Sequence, residues 1–317
     1  MRKRLLKPSR LKAGDTIGLV APASPLLSFQ DIARAARVLS RLGFKVAEGD
    51  HIRRRHGFLA GEDSQRADDI ESMFADKNVS GIFALRGGYG STRLLELLDW
   101  ELIAANPKVL LGHSDLTALL NAVYRRTGMV TFWGPLAGYD LGRSSSPFKL
   151  KWLKAVVCDN RPTLRLPKGP RGRRWRIIRK AAPVEGPLVG GNLSLICSLI
   201  GTPFDLDTRG ALLFLEDVDE EPYRIDRMLV QLSMAGKLTQ AVGILIGKCV
   251  NCEPQGRMRY SFRLNQVLQD RLGNLDIPVV YGAAIGHEKD KITLPIGVRA
   301  RLDTEKEYLT LLEPAVT

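Results

Sequence analysis

Lys108-Val-Leu-Leu-Gly-His-Ser-Asp-Leu-Thr117 joins an apolar run, Lys108 to Leu111, to a segment in which Leu116, Leu119, Leu120 and Val123 recur at helical spacing. A strand that turns sharply into a helix is the repeating junction of a parallel α/β layer. A serine on such a turn, here Ser114, holds its hydroxyl above the sheet beside the first helix amides. The helix dipole favours an anion that develops there. The match to G-x-S-x-G is incomplete, because Leu116 stands in the fifth position. Taken alone, the motif is better read as an N-cap in which Ser114 or Asp115 satisfies helix amides.

Working outward, the first half alternates short β-branched or apolar runs with amphipathic segments, which predicts βαβ units and a mainly parallel sheet. Strands are expected at about 16–21, 44–48, 80–85, 108–112 and 129–133. Between them Ile32, Ala35, Ala36, Leu39 and Leu42 keep helical spacing, as do Ile70, Met73 and Phe74, and Gly43 and Gly128 stand where helices should stop. The fold class is therefore α/β, doubly wound, with its working edge at the C-terminal ends of the strands. A helix is expected over 147–157, and the Pro/Arg/Gly-rich stretch after it has the composition of a linker or irregular crossover. The expected domains are a nucleophile-bearing layer over 1–150, a basic linker over 151–184 and a second domain over 185–317. That second domain holds a helix after Ser194, a strand at Ala211 to Leu215, a helix at 223–234, a strand at 242–247 and a strand-rich tail over 278–312.

Bulk composition excludes the non-globular classes. The chain has 317 residues, 44% hydrophobic and 26% charged, so it can bury sizeable cores and exceeds the usual length of one. Its apolar runs fall well short of the roughly 20 residues that span a bilayer. The basic start Met1-Arg-Lys-Arg4 and the later small residues resemble a secretory signal, but Lys7, Arg10, Lys12 and Asp15 interrupt any apolar core, which predicts a cytoplasmic protein beginning at residue 1. Cys158 and Cys197 fit that compartment as small buried hydrophobes. Cys249 and Cys252 form a C-x-x-C without a second pair or a nearby His, so a structural role is expected over a metal or redox one. The net charge of +13 is concentrated in residues 161–184, which hold nine Lys/Arg and no acid. Such a run can bind nucleic acid, yet Trp175 is its only aromatic, and a stacking platform is missing.

A serine nucleophile needs a base. His51 and His56 flank Arg53-Arg-Arg55, and His113 adjoins Ser114 in extended backbone, where their side chains take opposite faces. His287 remains, at the end of the run Val279 to Gly286. A carboxylate in an apolar setting should orient it, and Glu216 directly follows the buried strand Ala211 to Leu215. Asp217, Asp219, Glu220 and Glu221 read as a surface turn, and any of them can compete for the role. Arg86-Gly-Gly-Tyr-Gly-Ser91 follows another strand and precedes an expected helix at Thr92 to Leu98. Its bare amides can cradle a phosphate or form an oxyanion hole, but it lacks the ending of a P-loop.

Together these pieces resemble the LD-carboxypeptidases (muramoyltetrapeptide carboxypeptidases) and the related microcin C self-immunity peptidases. The resemblance rests on Gly14-Asp-Thr-Ile-Gly-Leu-Val-Ala-Pro22, Arg86-Gly-Gly-Tyr-Gly90, Gly112-His-Ser-Asp-Leu-Thr-Ala118 and Gly190-Gly-Asn-Leu-Ser194. It continues through Leu215-Glu-Asp217 with Tyr223-Arg-Ile-Asp-Arg227, and Gly286-His287 followed by Leu294-Pro-Ile-Gly297. It implies a Rossmann-type nucleophile domain and a smaller β-rich swivelling domain. It also implies a Ser114, His287, Glu216 triad, with an oxyanion hole from the amides of Gly88 and Asp115. Tyr89 and Asn192 are expected at the substrate. The resemblance further implies no metal or cofactor, a homodimer, and release of a terminal D-Ala from murein tetrapeptides in cell-wall recycling. The rival within the family cleaves an aminoacyl or peptidyl nucleotide, for which Trp175 can be imagined as the base-stacking ring. The rival from another class is a nucleic-acid-binding protein.

Overall fold

The computed structural model describes residues 5–255 and 260–317, so the Met1-Arg-Lys-Arg4 part of the N-terminal basic cluster lies outside the described residues. The chain divides into two compact units. The first takes the chain up to Arg161 together with Thr293–Gly297 and Pro314–Thr317, and the second takes Pro162–Ile292 and Val298–Glu313. In chain order the strands are β1 (Thr16–Val20), β2 (Lys45–Glu48), β3 (Val79–Ala84), β4 (Val109–Gly112), β5 (Thr131–Trp133), β6 (Leu164–Leu166) and β7 (Arg176–Arg179). They continue as β8 (Val184–Asn192), β9 (Leu212–Glu216), β10 (Gly243–Gly247), β11 (Val279–Ala283), β12 (Leu294–Ile296), β13 (Arg299–Asp303) and β14 (Tyr308–Leu311).

The first unit is built on a sheet of order β12-β5-β4-β3-β1-β2, parallel except for the antiparallel pairing of β12 with β5. Ile17, Leu19, Phe83, Val109 and Leu111 are completely buried, as a parallel sheet covered on both faces requires. Helices α1 (Gln30–Arg41), α2 (Asp63–Ala75), α3 (Trp100–Ala105), α4 (Leu116–Thr127) and α5 (Pro147–Val157) supply that cover. Gly128 ends α4 in the left-handed conformation, where a side chain would be strained. Strand order reverses beside β1, which has β2 on one side and β3 on the other. That switch point is where the loops following β1, β3 and β4 converge: Ser24 N donates to Gly87 O, and Ser91 N donates to the Asp115 carboxylate. The helix expected at Thr92 to Leu98 is instead a short 3₁₀ turn, Ser91–Leu94. Ser91 spends both its amide and its hydroxyl on Asp115, and Gly90 before it holds a φ of +125°, so the chain enters by a tight turn.

The second unit is an eight-stranded sheet of order β6-β14-β13-β8-β9-β10-β11-β7, with a parallel centre from β8 to β11 and antiparallel flanks. Helices α6 (Leu193–Ser198), α7 (Pro222–Met234), α8 (Lys237–Gln240) and α9 (Leu264–Leu272) complete it. Gly190 is required by the β8–β9 pairing, since a Cβ there would lie 1.9 Å from Phe214 O. The register that results sets Asn192 opposite Glu216. The stretch expected as a linker contributes the edge strands β6 and β7 to this sheet, anchored by buried Leu166, Trp175 and Ile178. Several of its charges are met by acids: Lys168 by Glu307, Arg173 by Glu288, Arg179 by Asp276 and Lys180 by Glu305. Among the described residues no helix is long and apolar enough to cross a membrane.

Candidate active site

The first unit carries the serine. β4 stops at Gly112, where a Cβ would meet Leu116 Cγ at 2.9 Å, and the chain turns so sharply that Ser114 adopts a φ of +63°. A non-glycine residue in this region costs on the order of 1–2 kcal/mol, which the surroundings must offset. Helix α4 starts at once, with Leu116 N donating to His113 O and Thr117 N to Ser114 O. Asp115 is the N-cap by position, but its carboxylate caps nothing; Oδ2 accepts Ser91 N at 2.8 Å, and its carbonyl accepts Ser91 Oγ at 2.6 Å. The capping reading of Asp115 is thereby replaced by a tie to the glycine loop. Burial pushes the Asp115 carboxyl above its ordinary range, against the Ser91 donors and the Arg66 charge.

That glycine loop is fitted to the serine more closely than sequence reasoning anticipated. A Cβ on Gly87 would stand 2.8 Å from Ser114 Cβ, 3.0 Å from Ser114 Oγ and 3.4 Å from Asp115 N. Gly87 thus keeps open the space over the hydroxyl and the first helix amide, and the signal for it in the sequence is the Gly-Gly doublet. Gly88, with a φ of +108°, would drive a Cβ to 2.5 Å from Ser24 Oγ. Gly87 O accepts Ser24 N, so the trans Gly87–Gly88 peptide sends the Gly88 N–H to the opposite side, away from Ser24. Tyr89 N donates to Ser24 Oγ at 3.1 Å, and the Tyr89 ring is half exposed against Phe58, with ring centroids 5.5 Å apart. Beneath the loop the buried Arg66 guanidinium bonds Gly90 O at 3.0 Å, Pro22 O and Asp63. Neither Ser24 nor Arg66 stood out in the sequence, because each acts through a partner distant along the chain.

The second unit carries the histidine and the carboxylates. His287 Nδ1 lies 2.8 Å from Glu216 Oε2, and Glu216 is fully buried at the end of β9. Gly286 allows this approach, since a Cβ there would sit 2.7 Å from Lys248 O and 3.3 Å from Glu216 Oε2. Asp217, expected in a surface turn, is instead buried. Its side chain accepts Ser194 N, Ser194 Oγ, Asn192 Nδ2 and Val218 N at 2.8–3.0 Å. Burial, and then the neighbouring Glu216 charge, push it up to about 6 despite those donors. Asn192 is likewise buried; Oδ1 caps α6 through Leu195 N, while Nδ2 reaches Asp217 at 3.0 Å and Glu216 at 3.4 Å. Beyond the histidine, Glu288 receives a two-pronged bond from Arg173, both contacts 2.6 Å.

The remaining candidates fall elsewhere. His51 bonds Asp69 at 2.9 Å, and His56 is exposed in a turn. His113 turns into the core against Asp140. Trp175 is only 6% exposed, which leaves no ring face for stacking a base. Cys249 and Cys252 are buried free thiols, and the adjacent Cys252 together with burial holds the Cys249 thiol well above its ordinary range. Among the described residues no group of His, Cys, Asp and Glu is arranged to hold a metal ion.

Comparison with known proteins agrees with this layout. The LD-carboxypeptidase N-terminal domain model matches residues 17–134, and the LD-carboxypeptidase C-terminal domain model matches residues 185–302. The chain is 41% identical over 314 residues to the "Probable murein peptide carboxypeptidase" of Bacillus subtilis (strain 168), covering 98% of this chain and 95% of that protein. It superposes on the crystal structure of muramoyltetrapeptide carboxypeptidase from Oxalobacter formigenes with a TM-score of 0.80 at 33% identity, covering 93% of this chain and 97% of that one. A structure of MccF in complex with glutamyl sulfamoyl guanosine gives a TM-score of 0.89 at 25% identity, covering 98% and 100%. Two family models matched in chain order, and a relative this similar along nearly its whole length, mean that the chain belongs to the LD-carboxypeptidase family of hydrolases.

Proposed function

We propose that this chain is a serine LD-carboxypeptidase that releases the terminal D-Ala of murein tetrapeptides. The observation that carries the reading is the buried Glu216 carboxylate 2.8 Å from His287 Nδ1, in a chain that also presents a serine on a strained strand-to-helix turn. A carboxylate can only accept, so Nδ1 carries the proton and Nε2 carries the lone pair with which the ring can act as base. In this reading His287 Nε2 takes the Ser114 proton as Oγ attacks the carbonyl before D-Ala. The amides of Gly88 and Asp115 hold the oxyanion, and His287 returns the proton to the leaving amine. A water then attacks the acyl enzyme by the same route. Tyr89 contributes its exposed ring on the substrate side, and Asn192 acts there through its hold on Glu216.

The names of the relatives favour a murein peptide as substrate, and the buried Trp175 speaks against the aminoacyl-nucleotide alternative. The basic run folds as edge strands of the second sheet with several of its charges met by acids, which gives little support to nucleic acid. The same reading places the enzyme in the cytoplasm, as a homodimer serving cell-wall recycling. The test is release of D-Ala from a murein tetrapeptide, set against hydrolysis of an aminoacyl sulfamoyl adenylate. The tetrapeptide should be turned over and the adenylate should not, and Ser114→Ala should lower turnover by on the order of 10⁴ to 10⁶ while leaving the fold intact. Full activity in Ser114→Ala, or turnover of the adenylate alone, would overturn the reading.

A further inference from the structure

The residue before the serine is part of a buried polar array that the hydrolytic mechanism does not use. His113 is 1% exposed, and its Nε2 lies 2.7 Å from Asp140 Oδ2. That same Oδ2 accepts Leu136 N at 2.9 Å. Lys149, completely buried on α5, places Nζ 3.7 Å from Asp140 Oδ1 and donates to Asp140 O at 3.0 Å and Ser144 O at 2.8 Å. The His113 ring packs on Trp133 of β5, with centroids 5.3 Å apart. An ionised carboxylate beside an ammonium accepts only, so the His113–Asp140 contact is a charge-assisted bond donated from Nε2–H.

Position gives this array its meaning. Ser114 holds a φ of +63° that a non-glycine residue keeps only where its neighbours over-determine it. On its C-terminal side the constraint is Asp115 tied to Ser91, and on its N-terminal side the constraint is His113 tied to Asp140. Buried groups bonded on several sides have little freedom to shift, and the backbone between two such anchors inherits that rigidity. From this we infer that His113 is a positioning residue: its Nε2–H bond to Asp140, charge-balanced by Lys149, holds the turn in the conformation that presents Ser114 Oγ for attack. The inference rests on Ser114 being the nucleophile.

The test compares two substitutions of one residue. His113→Phe keeps the ring volume against Trp133 and deletes the donor, while His113→Gln can extend an amide N–H to where Nε2–H stood. His113→Phe should lower kcat by about 10²-fold with KM nearly unchanged, the size of loss expected from an ångström of misplacement, and His113→Gln should recover most of it. The acid limb of the kcat/KM profile should stay in place in both, because in this reading His287 sets it. A third measurement needs no variant: ¹⁵N-histidine spectra of the unaltered protein should show one slowly exchanging Nε2–H that belongs to a buried ring. Wild-type kcat in His113→Phe, equal losses in the two variants, or an Nδ1–H tautomer at His113 would overturn the inference. If Ser114→Ala kept full activity, the nucleophile assignment would have failed instead, which separates the two outcomes.

Discussion

Glu216 ends β9 and Asp217 follows it, and the two adjacent acids have different surroundings. Glu216 meets His287 Nδ1, whereas Asp217 is turned toward Ser194, Asn192 and the Val218 amide. Alternation of faces along the chain accounts for that split, while the sequence favours Glu216 because it directly follows the buried run Ala211 to Leu215. What it could not reveal is that Asp217 is buried, because donors from β8 and α6 reach it only through the fold. Glu216→Gln should lower turnover by about 10⁴-fold by favouring the wrong imidazole tautomer, measured as kcat on the tetrapeptide. Asp217→Asn should act chiefly on stability, with a pH signature. Its folded-state value of about 6 lies above the ordinary carboxyl value of 3.8, so between those pH values the folded state binds more protons than the unfolded state. Stability from this group is therefore greatest below about pH 4 and falls as pH rises toward about 6. Melting temperatures of the two proteins across that range should show the parent losing ground to Asp217→Asn as pH rises; parallel curves would contradict the assignment.

At the scale of elements, strands and helices of the first unit were largely legible because each carries a strong local signal. β1 to β5 and helices α1, α2, α4 and α5 fall where apolar runs and helical spacing placed them, and Gly43 and Gly128 hold the positive φ values that end helices. The failures share one cause. The segment after Gly90 has a helical composition, yet bonds from Ser91 to Asp115 hold it as a 3₁₀ turn. Residues 162–184 have the composition of a linker, yet pair as edge strands whose partners come from β11 and β14. In each case long-range bonding overrode local composition. The same logic makes the glycine loop sensitive to a single methyl. Gly87→Ala should leave melting nearly unchanged yet lower kcat by about 10²- to 10³-fold, the range seen when an oxyanion donor is lost, since its Cβ would intrude on Ser114 Oγ and the Asp115 amide. The readout is kcat together with labelling by a serine-directed phosphonate, which should slow in parallel; unimpaired labelling would show that the space over Ser114 is not needed.

Across the whole molecule, the division expected from sequence was sequential, and the units that form are interleaved. β12 leaves the second unit's stretch of chain to pair antiparallel with β5, with Leu294 opposite Trp133 and Ile296 opposite Thr131. Further along, Thr317 N donates to Pro8 O and Arg10 N donates to Thr317 O, so the first unit is also closed by Pro314–Thr317. Nothing local marks Leu294-Pro-Ile as belonging to a sheet built 160 or more residues earlier, because strand pairing across such a separation is a property of the fold and not of the segment. Yet the consequence is physical. Without β12, the β5 edge exposes the backbone of Thr131, Phe132 and Trp133, all fully buried in the whole chain, and an apolar unpaired edge invites pairing with other copies. A fragment ending at Arg161 contains every strand that local reading assigns to the nucleophile layer, and a sequential division predicts that it folds alone. The interleaved fold predicts that it does not: expressed by itself, it should bind a hydrophobic dye, sediment as aggregates and show no cooperative melting. Light scattering and calorimetry on that fragment, beside the full chain, decide between the two, and a monomeric fragment with a sharp transition near that of the full chain would show β12 to be an ornament on a sheet already complete.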